Sequence, residues 1–305
     1  MNQISLSARL KNVEFPPSMN FDSSAGNLAG RAALDRGVTM ACAPAFVRRD
    51  DDDGVVTLTL SHPDTLNRFS DGSQFLELAS QVRRANADPA VRVLVITGEG
   101  KAFCAGGDLR QMAEREGFSA GDVAEVQARY RETVHQLPAA LAETDIPTIA
   151  AVNGPAYGAG CDLACFCDIR IAAQRASFSV SFARLGIVAG DGGAWMLPRL
   201  IGRSKAMELA FTAEPIDAQE AWRIGLVSEV TPDHALARRT TDLARGIARH
   251  PAAALRMHKR LLRDAEQHTL ATHLDVVAAF QAIAHASDEH LRAVRDVVGA
   301  LGQPR

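Results

Sequence analysis

The chain of 305 residues has few cysteines: Cys42, Cys104, Cys161, Cys165 and Cys167. An odd count without a regular framework argues against a disulfide scaffold and for reduced thiols in a cytoplasm. A zinc site needs a C-x-x-C pair or matched histidines, and neither is present, so no metal is expected. Long apolar runs are missing too. None approaches the roughly 18 residues that span a bilayer, and no membrane partner is expected. Residues 1–20 lack an apolar h-region, which argues against a secretory signal. The formal net charge is only -3, which asks for neither nucleic acid nor an anionic surface. What remains is an ordinary globular composition, 47% hydrophobic and 23% charged.

Residues 1–46 show no sustained periodicity. "FPPSMN" and "DSSAGNLAG" read as loop, so this part is expected to be a poorly ordered extension. Met40 is an alternative start. The acidic run Asp50 to Asp53 reads as a solvated turn, without the alternating ligands and glycine of a calcium loop. Order begins with "GVVTLTLSHP", a strand ending at Pro63. "DGSQFLELASQVRRANADP" places Phe75, Leu78, Ala79 and Val82 on one helical face, with Ser73 as a possible start. "VRVLVIT", "IPTIAAVNG", "DIRIAA" and "LVSEV" read as further strands. Between them lie helical patterns, including one over 122–143. Strands alternating with helices predict an α/β layered core over 47–240. Residues 241–305 read as helix throughout, broken at Pro251 and near Ser287, an added packing or oligomerisation layer. No strict sequence repeat is visible.

Two strand exits are crowded with small residues: "VLVITGEGKAFCAGGDL" and "IAAVNGPAYGAGCDLACFCDIRIA". Each turn opens a helix, whose first N–H groups lack intrahelical partners and sit at the positive end of the dipole. Neither turn is a dinucleotide fingerprint or a phosphate loop, so nucleotide binding is disfavoured. Taken together, they suggest paired backbone donors aimed at one oxygen, the arrangement of an oxyanion hole. Gly107 would donate from the first turn and Ala159 from the second.

With "HPDTLN", "LGIVAGDGGAWMLPRLIGRSKAMEL" and "IDAQEAWRIGLVSEV" added in order, residues 54–265 resemble the crotonase superfamily of enoyl-CoA hydratases and isomerases. The resemblance implies a spiral of repeated ββα units, a C-terminal helical trimerisation region, and trimers or hexamers. It implies an acyl-CoA thioester as substrate, with no cofactor beyond that coenzyme A. It places the oxyanion donors on Gly107 and Ala159. Cys104, Ala105, Gly106 and Asp108 would line the CoA path, Arg68 would lie near the CoA-contacting turn, and Lys259 near the CoA phosphates.

The acid–base groups depart from the hydratase pattern. One family glutamate matches Asp162, three residues beyond Ala159 and able to share its helical face. The other matches Phe182, which transfers no proton. Asp191 in "VAGDGGAW" is a further carboxylate, one position beyond where several isomerases and dehalogenases of the family carry an acid. It could equally cap a helix starting at Gly192. Asp168 reads as structural, and His62 and His135 as surface residues. Hydration of a 2-enoyl thioester is the leading expectation. Double-bond isomerisation is the first alternative, and a non-catalytic acyl-CoA binder the second.

Overall fold

A computed structural model describes residues 45–301. The extension 1–46, apart from its last two residues, and the Met40 start lie outside the described residues, as does Cys42. Strand β1 (Val47–Asp52) pairs antiparallel with β2 (Val55–Leu60), joined by a turn at Asp53 and Gly54. Asp50 to Asp52 thus belong to a strand; only Asp53 turns. An exposed edge strand carries no apolar alternation to read, and its backbone pairing forms it regardless. Its start is held by Glu77, whose carboxylate accepts from the N–H groups of Phe46 and Val47.

Helix α1 (Gly72–Ala87) begins one residue before Ser73, the expected start, because Asp71 and Gln74 form a capping box. Its predicted face is buried. Strand β3 (Val93–Gly98) and the short α2 (Leu109–Ala113) follow. The helical stretch over 122–143 has three parts: α3 (Val123–Arg129), a π-helical turn (Tyr130–Val134) and α4 (Gln136–Glu143). Next come β4 (Thr148–Val152), β5 (Ala156–Tyr157), α5 (Ala159–Cys165), β6 (Ile169–Ala173) and β7 (Ser177–Ser179). Then α6 (Gly193–Ile201) and α7 (Arg203–Thr212) are separated at Gly202. Short β8 (Ile216–Asp217), α8 (Ala218–Arg223) and β9 (Glu229–Thr231) lead to α9 (Leu236–Ala248).

The main sheet has the order β1-β2-β3-β4-β6-β9 and is parallel beyond the first pair. Its inner strands bury both faces. Val93, Val95, Ile149 and Ile171 face α9 through Leu236 and Ala244, while Leu94, Ile96 and Ala150 face the larger core with α1, α4 and α5. This alternation is the period of two expected of a strand. Tight connections hold the strand ends together. Asn67, fully buried in a left-handed backbone, donates to the carbonyls of Glu99 and Ala102.

A second, small sheet orders β5-β7-β8, and Cys104 extends it through a parallel bridge to Ala156. A structural repeat emerges that no sequence repeat betrays. Main strand, short second strand and helix follow one another three times: β3–Cys104–α2, β4–β5–α5 and β6–β7–α6. This is the ββα repetition that the resemblance implies. The second-strand ends of the three units lie side by side and build one site.

Helices α10 (Ala252–Asp264), α11 (Leu270–His285) and α12 (Asp288–Leu301) complete the chain. The breaks fall at Pro251 and Ser287, with a further one at Thr269, which caps α11. None of the three helices contains a buried residue, and Leu262, Leu270, Ile283 and Val298 are exposed.

Candidate active site

The first glycine turn hangs between two segments. Ala105 N–H donates to the Leu66 carbonyl and Phe69 N–H to that of Gly106. In this parallel bridge Phe69 supplies the bonding groups, which leaves the Gly107 N–H facing away from it. On the other side, Tyr157 N–H donates to the Cys104 carbonyl. The second turn is tied by Gly158 N–H to the Ser179 carbonyl. Gly158 has φ 50° and ψ -120°, a conformation that a side chain would strain, and it launches α5 with Ala159 as its first residue. Gly160 lets α5 press against the first turn: a Cβ there would run into the Cys104 carbonyl. Among the described residues, neither Gly107 N–H nor Ala159 N–H donates a hydrogen bond.

Both donors line a cavity of about 220 Å³. Ala105, Gly106, Gly107 and Ala159 form one side, and Asp191 is the only carboxylate in the lining. Its side chain has no hydrogen-bond partner among the described residues. Burial, with Asp191 only 9% exposed, pushes this carboxyl up to about 7. A buried polar group without a partner inside the protein needs an explanation, and here it faces a pocket.

Asp191 does not cap the helix that follows it. Helix α6 is capped at Gly192, and the Asp191 side chain plays no part. Instead Asp162, reaching over from α5, accepts the Gly193 N–H at 3.1 Å. Asp162 is only 2% exposed and does not line the cavity. Where the sequence suggested a group at the substrate, the structure places Asp162 beneath the cavity wall, covered by α6 and accepting from its first turn. Burial, and secondarily the charge of Asp191, push its carboxyl well above the usual range, against the lowering effect of the Gly193 N–H.

Cys104, Asp108, Arg68 and Lys259 lie outside the lining of this cavity. Cys104 is fully buried behind the turn, and burial raises its thiol to about 12. Asp108 caps α2 through Arg110 N–H and pairs with Arg68 at 3.1 Å; neither side chain lines the cavity. Lys259 is held by Asp168 at 2.7 Å and by the Ile146 carbonyl at 2.9 Å, a brace between α10 and the start of β4. Asp168 also accepts from Thr148 N–H and Oγ1. No cluster of three or more metal-ligating side chains occurs among the described residues, and no helix there is long and apolar enough to cross a membrane.

Sequence reasoning missed Tyr130 and Phe118, which line the cavity opposite the donors. Tyr130 stands on the π-helical turn, a local distortion frequent at functional sites. Burial and the charge of Asp191 raise its phenol, so it stays a donor. Its ring lies against Gly190, where a side chain would collide with it, and His135 Nε2 meets the Gly190 carbonyl at 3.1 Å. His135 thus props the loop that carries Asp191. Phe182 lines the cavity and covers Gly158.

A three-unit ββα spiral thus carries two backbone N–H groups without partners and one carboxyl around a largely apolar pocket. The enoyl-CoA hydratase/isomerase family profile matches residues 50–294, and the chain belongs to that family. It is 36% identical over 249 residues to 1,2-epoxyphenylacetyl-CoA isomerase of Escherichia coli K12, covering 82% of this chain and 94% of that protein. It is 37% identical over 213 residues to 2,3-dehydroadipyl-CoA hydratase of the same organism, covering 70% and 80%. Among solved structures, a putative enoyl-CoA hydratase/isomerase from Mycobacterium abscessus superposes with a TM-score of 0.78 at 34% identity, covering 85% and 98%. An enoyl-CoA hydratase from Bacillus anthracis gives 0.77 at 31%, covering 84% and 96%. The fold is that of the crotonase superfamily.

Proposed function

We propose that this protein shifts a carbon–carbon double bond in an enoyl-CoA thioester, turning a 3-enoyl into a 2-enoyl ester. The carrying observation is that one carboxyl, Asp191, faces the cavity while Asp162 lies beneath its wall and Phe182 fills a third position. This reverses the order expected from sequence. Hydration asks for two groups that hold and activate a water, whereas isomerisation asks for one base that carries a proton between two carbons.

The ionised Asp191 carboxylate takes a proton from Cα. The electron pair left behind is shared between the thioester oxygen, as an enolate, and Cγ, through the double bond. The N–H groups of Gly107 and Ala159 hold that developing charge, the interaction that gains most in the transition state. The proton on Asp191 then passes to Cγ, the electrons return, and the conjugated ester leaves. A carboxyl near 7 suits both halves, since it must accept and give up a proton at neutral pH. The chemistry draws on no cofactor beyond the coenzyme A of the substrate.

Hydration of a 2-enoyl-CoA is the second reading, favoured by the hydratase names of relatives at 35% and 37% identity. Purified protein given 3-hexenoyl-CoA and crotonyl-CoA in parallel separates the two. Conjugation of the first without hydration of the second is expected. Hydration of crotonyl-CoA with no double-bond shift would reverse the order, and binding without turnover of either would leave a non-catalytic acyl-CoA binder. The exposed apolar side chains of α10 to α12 support a homotrimer or a dimer of trimers. The buried free thiols support a reducing cytoplasm.

A further inference from the structure

Aromatic side chains are scarce in this chain, at 5% of residues, yet both tyrosines and four of the twelve phenylalanines line the cavity. One wall is a run of rings in mutual contact. Phe69 stacks on Phe75 with centroids 3.9 Å apart, Phe75 meets Phe118 edge-on at 5.5 Å, and Phe118 meets Tyr130 at 6.4 Å. Phe69, Phe75 and Phe118 are buried, so neighbours on both sides fix their orientation. Phe182 and Tyr157 face them, and the Tyr157 hydroxyl is already engaged with Ser177 Oγ at 3.0 Å. The exposed side chains of Leu109, Leu185 and Ile187 lie at the solvent side of the lining.

A wall of interlocked rings keeps its shape, unlike one built of methionine or leucine. It presents ring edges and faces, which favour offset or edge contacts with another flat unsaturated group. The volume of about 220 Å³ exceeds the roughly 150 Å³ that accommodates a benzene ring. It holds one six-membered ring with the few atoms that tie it to the thioester, against the ring wall.

We infer that the acyl group this site selects is compact and ring-bearing: a flat, unsaturated six-membered ring one or two carbons from the thioester carbonyl. The choice of reaction rests on the double-bond-shifting reading; the choice of acyl shape rests on the cavity alone. For cyclohexenylacetyl-CoA the chemistry balances. Asp191 takes the Cα proton and returns it to the ring carbon at Cγ, the double bond moves out of the ring into conjugation, and no oxidant or water is used.

The test has a binding arm and a turnover arm. Calorimetric titration compares phenylacetyl-CoA with octanoyl-CoA, which has the same eight acyl carbons, and with dodecanoyl-CoA. The native protein is expected to bind the ring ester about tenfold more tightly than octanoyl-CoA, and dodecanoyl-CoA more weakly still. Phe118→Leu, which keeps an apolar side chain but removes a ring, should bring the two eight-carbon esters within about threefold of each other. Native protein that binds octanoyl-CoA as tightly as phenylacetyl-CoA overturns the inference, as does a Phe118→Leu variant with unchanged preference. In the turnover arm, cyclohexenylacetyl-CoA should be conjugated faster than 3-octenoyl-CoA. Tight ring binding without any isomerisation supports the acyl shape and sinks the reaction. Isomerisation with a linear preference does the opposite.

Discussion

Two aspartates sit on either side of one thin wall, and they behave as different residues. Asp162 lies under it with a backbone N–H for a partner; Asp191 opens into the cavity with none. Burial raises both carboxyls. The same desolvation acts on a carboxyl tied to a backbone N–H and on one that faces open space, raised to about 7. What separates them is whether the group has a partner inside the protein and a path to the substrate. Residue type and spacing along the helix do not record that difference.

The largest effect that could break this contrast is at Asp191. Asp191→Asn keeps the shape and removes the base, and kcat should fall about 10²- to 10⁴-fold with little change in binding. The same variant should be the more stable protein at pH 8. A folded-state carboxyl raised to about 7 binds its proton more tightly than the unfolded chain does, so native stability falls as pH rises from about 4 to 7. Over that window the loss is of order 4 kcal/mol, and thermal melts across pH would show the variant spared it. Next in size is Ala159→Pro. The first position of a helix tolerates proline, so α5 should survive in circular dichroism while one oxyanion donor is deleted. A drop of about 10²- to 10³-fold in kcat is expected.

Asp162 supplies the counter-experiment. Asp162→Ala orphans the Gly193 N–H and should cost about 1–3 kcal/mol in denaturant titration. Asp162→Asn, which keeps the side-chain shape and an oxygen to accept the Gly193 N–H, should leave kcat within about tenfold of native. If it abolishes turnover as Asp191→Asn does, the contrast between the two is wrong. Smallest is the pH profile. kcat/KM should rise with pH and reach half its plateau near 7, as Asp191 ionises.

Much of this was legible beforehand. The alternation of strands and helices gave away the layers, and the two small-residue turns together pointed to Gly107 and Ala159, which the structure brings to one cavity. What stayed hidden has a common cause. Asp162 was placed correctly on its helix, but α6, which follows much later in the chain, decides whether it is covered. The partners of Lys259, Asp168 and the Ile146 carbonyl, come from distant segments. Tyr130 and Phe118 lie in a stretch with no motif and reach the site only because a π-helical turn and a loop fold over it. The edge strand β1 hides because its pattern is set by backbone pairing alone.

The near-complete enclosure of Asp191 has an isotopic consequence. A proton received by a carboxyl that barely meets solvent is handed on before it can be traded with water. An ester deuterated at Cα should therefore carry much of its label to Cγ of the same molecule, even in ordinary water. The product would keep a record of its own starting material, written by the burial of a single side chain.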